Sequence, residues 1–236
     1  REREMLLTLA AGRDFPVITL TDGPLELYRE PTEAALFNKE FKKYVEVLEK
    51  LADEGVVAAG FVEKSRSDLL IRLLELTLLP DSELASAGTQ RPLKHIRDID
   101  LYRDLLQPGE RSAVFAIQSS AQNRFTGRLA VHFFYLNISN TAKPYLARVE
   151  LPAWVAERMP ALDVLQSALL WQCRQMGPHS SPYALHRAHE IAVVHLEERQ
   201  RVEELILMEL RRQQVDIDEK SHKQANKELP GKRKHP

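Results

Sequence analysis

Acids that follow strand-like segments, together with a late pair of histidines, are the side chains in this sequence best suited to chemistry. Asp22 ends the segment "VITLTD", in which apolar and β-branched residues alternate as they do in a strand. The same acid begins Asp-Gly-Pro, a turn sequence in which Asp often hydrogen-bonds its own backbone. Asp22 is therefore either a turn residue or a metal ligand or catalytic acid at a strand tip, and this stretch alone favours the turn.

The other acids also have structural explanations. Glu63 follows a buried strand and is typical of a charged residue at a strand's exposed end. Asp98 and Asp100 precede a helical turn, where acids cap the helix and complement its dipole. Glu150 lies inside the apolar segment "ARVELPAW", where an ion pair with Arg148 explains it at least as well as catalysis does.

The histidines lie in the late segment "SSPYALHRAHEIAVVHLEE". His186 and His189 are three residues apart, so both fit on one helical face. His189 could offer a neutral imidazole to a divalent metal or act as a general acid or base, although a packed or surface histidine is the commoner case. Strand-end acids with a late histidine suit metal-assisted phosphodiester hydrolysis, in which carboxylates hold two ions about 4 Å apart, but do not require it.

The elements that must position these residues follow an α/β order. Apolar residues recur at helical spacing over 33–54, the buried strand "VVAAGFVEK" follows, and helical spacing resumes over 65–79. This alternation favours a sheet covered by helices. Three further strands, 111–118, 129–138 and 145–151, have the spacing of an antiparallel meander.

The remaining residues are predicted to be helical over about 153–176, and then to form one long helix from about 184 to 213. A stripe on this last helix predicts either a core face or a dimer face, and its members are Ile191, Val194, Leu196, Val202, Leu205, Ile206 and Leu210. Residues 216–236 are predicted to be a basic, flexible tail.

Composition is that of an ordinary soluble globular protein. The 236 residues are 44% hydrophobic with a net charge of −1, so the whole chain makes no electrostatic case for nucleic acid. No apolar run approaches a membrane span, no signal peptide is predicted, and the single Cys173 fits a reducing cytoplasm. P-loop, GxGxxG, GxSxG and paired CxxC motifs are absent. The initial Arg1 predicts that the chain begins inside a longer gene product.

The order of several stretches resembles the NurA family of DNA-repair nucleases. These stretches are "LTDGPLEL", "GFVEKSRS", "LLQPGERSAVF", "FFYLNIS", "ARVELPAWVAE", "SSPYALHRAHEIAVV" and "SHKQANK". Together they cover nearly the whole chain in family order, and "PGERS" with "ARVELPAW" and "YALHRAHE" is specific in combination.

The resemblance implies a ribonuclease H-like mixed α/β sheet with flanking helices and a long C-terminal helix, with residues 1–215 as the NurA nuclease domain. It implies a cytoplasmic homodimer that uses Mn²⁺, or Mg²⁺, to degrade single strands and DNA ends in double-strand break resection. The implied partner is a HerA-type hexameric ATPase.

The resemblance places the catalytic and metal-binding roles on Asp22, Glu4 and His189, with Glu2 as the alternative to Glu4. We assign supporting roles to Tyr183, Ser181, Asp98 and Glu150, and DNA contacts to Lys64, Arg66 and Arg187.

Two features depart from the family pattern. The early Asp-Gly-Ser motif is absent, so the domain is expected to lack its first strand and one catalytic Asp. The family's Gly-Tyr-Pro is Ser180-Ser181-Pro182 here, which puts Ser181 at the tyrosine position and leaves Tyr183 as a neighbouring substitute. These departures motivate an alternative, a non-catalytic module that docks on the ATPase and guides DNA. A third interpretation, a hydrolase of small phosphate esters, is supported only by the scattered carboxylates.

Overall fold

The computed structural model describes residues 2–25, 34–88, 91–118, 125–141, 143–177, 181–193 and 196–213. The chain divides into two compact units, the first ending at Ala188 and the second beginning at His189. Among the described residues, no helix has both the length and the apolar character needed to cross a membrane. The predicted tail, 216–236, lies outside the described residues.

A five-stranded mixed sheet forms the centre of the first unit. Its strands are β1 (Ile18–Asp22), β2 (Val57–Val62), β3 (Phe115–Ala116), β4 (Val131–Asn137) and β5 (Leu146–Pro152). They lie in the order β1-β2-β5-β4-β3, with β1 parallel to β2 and the other neighbours antiparallel. The predicted mixed α/β class, with a meander as its second part, is confirmed.

Helices cover both faces of this sheet. The α-helices of the described residues are α1 (Glu2–Ala10), α2 (Ala34–Asp53), α3 (Leu69–Thr77), α4 (Asp98–Tyr102), α5 (Ala153–Ala156), α6 (Met159–Gln175), α7 (Tyr183–Ala192) and α8 (Leu196–Arg212). Successive residues of β4 alternate between two clusters, because strand side chains point to opposite faces. Phe134 joins the cluster under α6, and Phe133 joins the one that includes Leu70 of α3. The central strands are therefore apolar on both faces, as buried strands must be.

Some predicted boundaries are wrong for physical reasons. Helix α1 was not expected, and β3 is only two residues long. The helix expected over 153–176 is broken between α5 and α6, where Pro160 fits only the first turn of a new helix. Helix α3 begins at Leu69, four residues later than the predicted start.

The long helix expected from about 184 to 213 is described as α7 and α8, with residues 194–195 outside the described part. The core interpretation of its stripe is wrong for the described side chains, because Ile191, Val202, Leu205 and Ile206 are all more than half exposed. Val194 and the side chains of Leu196 and Leu210 lie outside the description.

Candidate active site

Asp22 lies at the end of β1, where it pairs in register with Phe61 of β2. Its side chain is exposed and has no hydrogen-bond or ion-pair partner among the described residues. The chain turns at Gly23, whose φ of +95° favours glycine, and the Gly23 N–H donates to the Phe61 carbonyl at 2.9 Å. The turn prediction is confirmed for the backbone, but the Asp22 carboxylate does not serve the turn.

The backbone after Asp22 crosses directly over β2. A Cβ atom on Gly60 would lie 2.7 Å from the Gly23 carbonyl oxygen and 3.1 Å from the Leu25 nitrogen. Only glycine allows so close an approach without a shift of the backbone. Gly60 therefore lets the segment that leaves Asp22 lie flat against the sheet.

Leu25 is held where this crossing ends, by contacts that we call the Leu25 anchor. The Leu25 N–H donates to Glu150 Oε2 at 2.9 Å, and the Tyr44 hydroxyl of α2 donates to the Leu25 carbonyl. Burial raises the pKa of Tyr44 to about 12, so its hydroxyl keeps its proton at neutral pH. The anchor holds the chain three residues after Asp22 from both sides.

Glu150 serves this anchor rather than an open site. It is 1% exposed, pairs in register with Gly60, and forms an ion pair with Arg148 on the same face of β5. The predicted ion pair is therefore observed. Removing one partner of a buried pair costs about 3–5 kcal/mol because the other charge is left uncompensated.

Asp98 caps a different helix from the one that the sequence predicted. Its Oδ1 accepts the backbone N–H groups of Leu70 and Ile71 at 2.9 and 3.0 Å, and its Oδ2 accepts the Tyr135 hydroxyl. Asp98 thus satisfies the N-terminal donors of α3, 28 residues earlier in the chain. The expectation that it caps its own helix is wrong, and Asp100 does this for α4 instead.

Glu4 lies on α1 and lines a groove of about 270 Å³ between α1 and α2, as does the alternative candidate Glu2. Its neighbour Arg3 stacks 4.0 Å above the ring of Tyr44, a residue of the Leu25 anchor. Arg3 therefore connects α1 to the Leu25 anchor through the Tyr44 ring. In the described part of the chain, no three His, Cys, Asp or Glu side chains are grouped to hold a metal ion. Those residues do not by themselves fit a complete metal site.

Helix α7 begins in the first unit, and its early residues pack against α6. The Ala184 N–H donates to Gln172 at 3.0 Å, and Leu185 contacts the core under α6. Tyr183 is 48% exposed and Ser181 is half-buried. His189 is exposed and is the first residue of the second unit, and its role stays a prediction, as does that of the exposed Arg187.

The end of the sheet that carries Asp22 also carries basic residues. Lys64 and Arg66 follow β2 directly, and both side chains are exposed without a partner among the described residues. Glu63, before them, accepts a hydrogen bond from the Tyr145 hydroxyl at the start of β5. The predicted strand-end position of Glu63 is confirmed, but its tyrosine partner could not be inferred from local sequence.

Tyr44 is a functional contact that the sequence did not reveal. In the sequence it is only one of the apolar residues of the helix predicted over 33–54, because its partner Leu25 lies outside any local pattern.

Comparison with known proteins extends these observations. A family model described as "NurA domain" matches residues 2–194. No curated protein and no solved structure matches the chain. The match includes Asp22, Glu4 and His189 and spans most of the chain, and a NurA domain implies a nuclease-type role in DNA repair. The chain belongs to the NurA family.

Proposed function

We propose that this chain is a metal-dependent DNA nuclease that degrades single strands and DNA ends during double-strand break resection. The observation that carries the proposal is Asp22, an exposed carboxylate without a partner among the described residues. It is held at a strand end by the Leu25 anchor, and Lys64 and Arg66 follow the neighbouring strand at the same end. An acid at the same end of the sheet as cations that have no partner among the described residues suits a phosphodiester substrate.

Metal dependence is proposed from the family resemblance, with Mn²⁺ as the ion and Mg²⁺ as its substitute. Asp22, Glu4 and His189 are the proposed ligands and catalytic groups, and Tyr183, Ser181 and Arg187 the proposed supporting and DNA-contacting residues. A divalent ion would neutralise charge on the scissile phosphate and activate water. The ribonuclease H-like classification of the sheet belongs to the same proposal.

The proposed assembly is a cytoplasmic homodimer that works with a HerA-type hexameric ATPase. The exposed apolar residues of α8 in the second unit, Val202, Leu205 and Ile206, support a dimer face. Light scattering coupled to gel filtration measures the dimer, and co-elution with the ATPase measures the complex. A monomer that does not co-elute contradicts this part of the proposal.

Cleavage of end-labelled DNA with Mn²⁺ tests the nuclease directly. We expect Asp22→Asn to lower the cleavage rate by about 100-fold or more, equivalent to about 3 kcal/mol of transition-state stabilisation. Asp14→Asn is the matched control, because Asp14 is also exposed and without a partner among the described residues. An inactive wild-type chain, or equal activity in the two variants, contradicts the proposal.

A second function, a non-catalytic module that docks on the ATPase and guides DNA, is favoured by one observation. In the described part of the chain, no three potential ligands are grouped for a metal ion. This alternative predicts that the wild-type chain co-elutes with the ATPase and stimulates ATP hydrolysis without cleaving DNA. It is contradicted if Mn²⁺-dependent cleavage appears and is lost in Asp22→Asn.

A further inference from the structure

A cavity of about 310 Å³ opens at the end of the sheet that carries Asp22. It lies where β2 ends and β5 begins, and residues around α4 form its opposite wall. Asp22 pairs with Phe61, and the lining begins two residues later at Glu63. At about 3.3 Å per strand residue, the cavity therefore begins about 7 Å along the chain from Phe61, the residue that pairs with Asp22.

Cations dominate the lining of this cavity. Lys64 and Arg66 contribute from the segment after β2, and Arg97 and Arg103 contribute from the two ends of α4. Among the described residues that line it, Glu63 is the single acid. A concave site with this excess of positive charge attracts and concentrates anions.

Two of the cations are unengaged, and the other two are held in place by one acid. Lys64 and Arg66 have no partner in the described part of the chain. Arg97 donates Nε and Nη2 to Asp100 at 2.8 Å, and Arg103 donates Nη2 to the same carboxylate at 2.6 Å. One carboxylate cannot neutralise two guanidinium groups, and each retains N–H donors for a ligand. Groups that are already oriented bind at a lower entropic cost.

The acid in the lining does not oppose an anion as a free carboxylate would. Glu63 accepts a hydrogen bond from the Tyr145 hydroxyl, whose pKa is raised by burial and by the Glu63 charge. Tyr145 therefore stays protonated and keeps donating to Glu63 at neutral pH. Tyr145 also packs against the core cluster that includes residues of α6, which helps to hold the pair in place.

We propose that this cavity is a phosphate-binding subsite that holds the backbone of single-stranded DNA beside Asp22. Lys64, Arg66, Arg97 and Arg103 are its phosphate-binding residues. The inference rests on the proposed function for the identity of its substrate, and it adds Arg97 and Arg103 to the residues that bind it. A strand whose phosphate is held there would run past the end of β1.

Binding of a fluorescein-labelled oligothymidylate to the full chain, measured by anisotropy in EDTA, tests the subsite without any cleavage. We expect Lys64→Gln, Arg66→Gln and Arg103→Gln each to weaken binding by about fivefold. Each should also reduce the salt slope of log affinity by about 0.7, the value for one lost contact to a single strand. Lys64 and Arg66 have no partner among the described residues, so we expect their variants to keep the fold.

Arg158→Gln is the control, since it removes one exposed charge between α5 and α6, at the other end of β5. Equal affinities and salt slopes in the control and the subsite variants overturn the inference. Thymidine monophosphate and inorganic phosphate form a second arm. Each is added as a competitor at the same molar concentration as unlabelled oligothymidylate. If either displaces the labelled strand as strongly as the oligothymidylate does, the cavity binds a free phosphate and the DNA assignment is wrong.

The outcome is separable from that of the nuclease proposal. Binding in EDTA does not depend on Asp22 chemistry, and cleavage by Asp22→Asn does not report on the cations. Weakened binding by the subsite variants with no Mn²⁺-dependent cleavage supports the subsite and removes the nuclease. If the subsite variants bind as tightly as wild type and Asp22→Asn loses cleavage, the nuclease proposal is supported and the subsite is wrong.

Discussion

The buried acids of the first unit and the acid at the end of β1 differ in how many of their carboxylate oxygens accept a hydrogen bond or an ion pair from the protein. Asp98, Glu150 and Glu75 are each at most 3% exposed, and both oxygens of each accept hydrogen bonds or ion pairs. Asp22 is exposed and has no partner among the described residues. Buried acids must be satisfied because an unpaired charge is costly there, whereas an exposed acid remains available to a ligand.

The comparison also separates two roles that look alike in sequence. Glu150 supports Asp22 without joining it, because it holds Leu25 after the backbone has turned away from the strand. Asp98 supports α3 in the same way and on the same face of the sheet, since its partner Tyr135 pairs in register with Arg148. The oxygens of both acids already accept donors of the protein, and the supporting catalytic roles of Asp98 and Glu150 stay predictions.

The largest expected effect on stability distinguishes Asp98 from Asp22. Asp98→Ala should lower the free energy of unfolding by about 3–5 kcal/mol, because two backbone N–H groups and the Tyr135 hydroxyl lose a charged acceptor while buried. Asp22→Ala should stay within about 0.5 kcal/mol of wild type. Urea unfolding followed by circular dichroism measures both. Similar losses in the two variants would show that the division between buried and exposed acids does not hold.

A smaller effect is expected where the backbone after Asp22 crosses β2. Gly60→Ala should cost about 1–3 kcal/mol, because its Cβ would lie 2.7 Å from the Gly23 carbonyl oxygen and force the two backbones apart. Gly88→Ala is the matched control, since no atom lies within 4 Å of its added Cβ. Thermal unfolding compares them. The crossing is not a tight contact in solution if the two variants melt together.

The smallest effect concerns the proton on Tyr44. The folded-state pKa is about 12 and the ordinary value is 10, so between these pH values the folded chain binds more protons than the unfolded chain. The contribution of Tyr44 is complete below pH 10 and falls as pH rises, by about 1.4 kcal/mol at pH 11. Tyr44→Phe should therefore flatten the loss of stability between about pH 9 and 11.

Urea unfolding at several pH values measures this slope in Tyr44→Phe and in wild type. Tyr183→Phe serves as the control, since Tyr183 is 48% exposed. If the Tyr44 and Tyr183 variants lose stability in parallel with wild type, the Tyr44 hydroxyl is not buried in the Leu25 anchor.

Local patterns predicted most of the elements but not their partners. Helix α2 and strands β1, β2, β4 and β5 agree closely with prediction, because amphipathic spacing and short apolar runs persist over many residues. The strand predicted over 111–118 is shorter in the structure, as β3, and the break between α5 and α6 was missed, since edge pairing and helix breaks depend on few residues. Arg97 and Arg103 each lie three residues from Asp100, and this spacing alone could have predicted that both pair with it.

The sequence by itself determined that Asp22 ends a strand, that a turn follows it, and that the chain resembles the NurA family. These features depend on neighbours within a few residues or on the order of motifs. Only the tertiary structure decided which acids are satisfied: Glu150 bonds Leu25, 125 residues away, and Asp98 bonds Leu70. Burial and pairing come from segments that meet only when the chain folds. Local sequence therefore could not tell the buried acids from Asp22, whose carboxylate has no partner among the described residues.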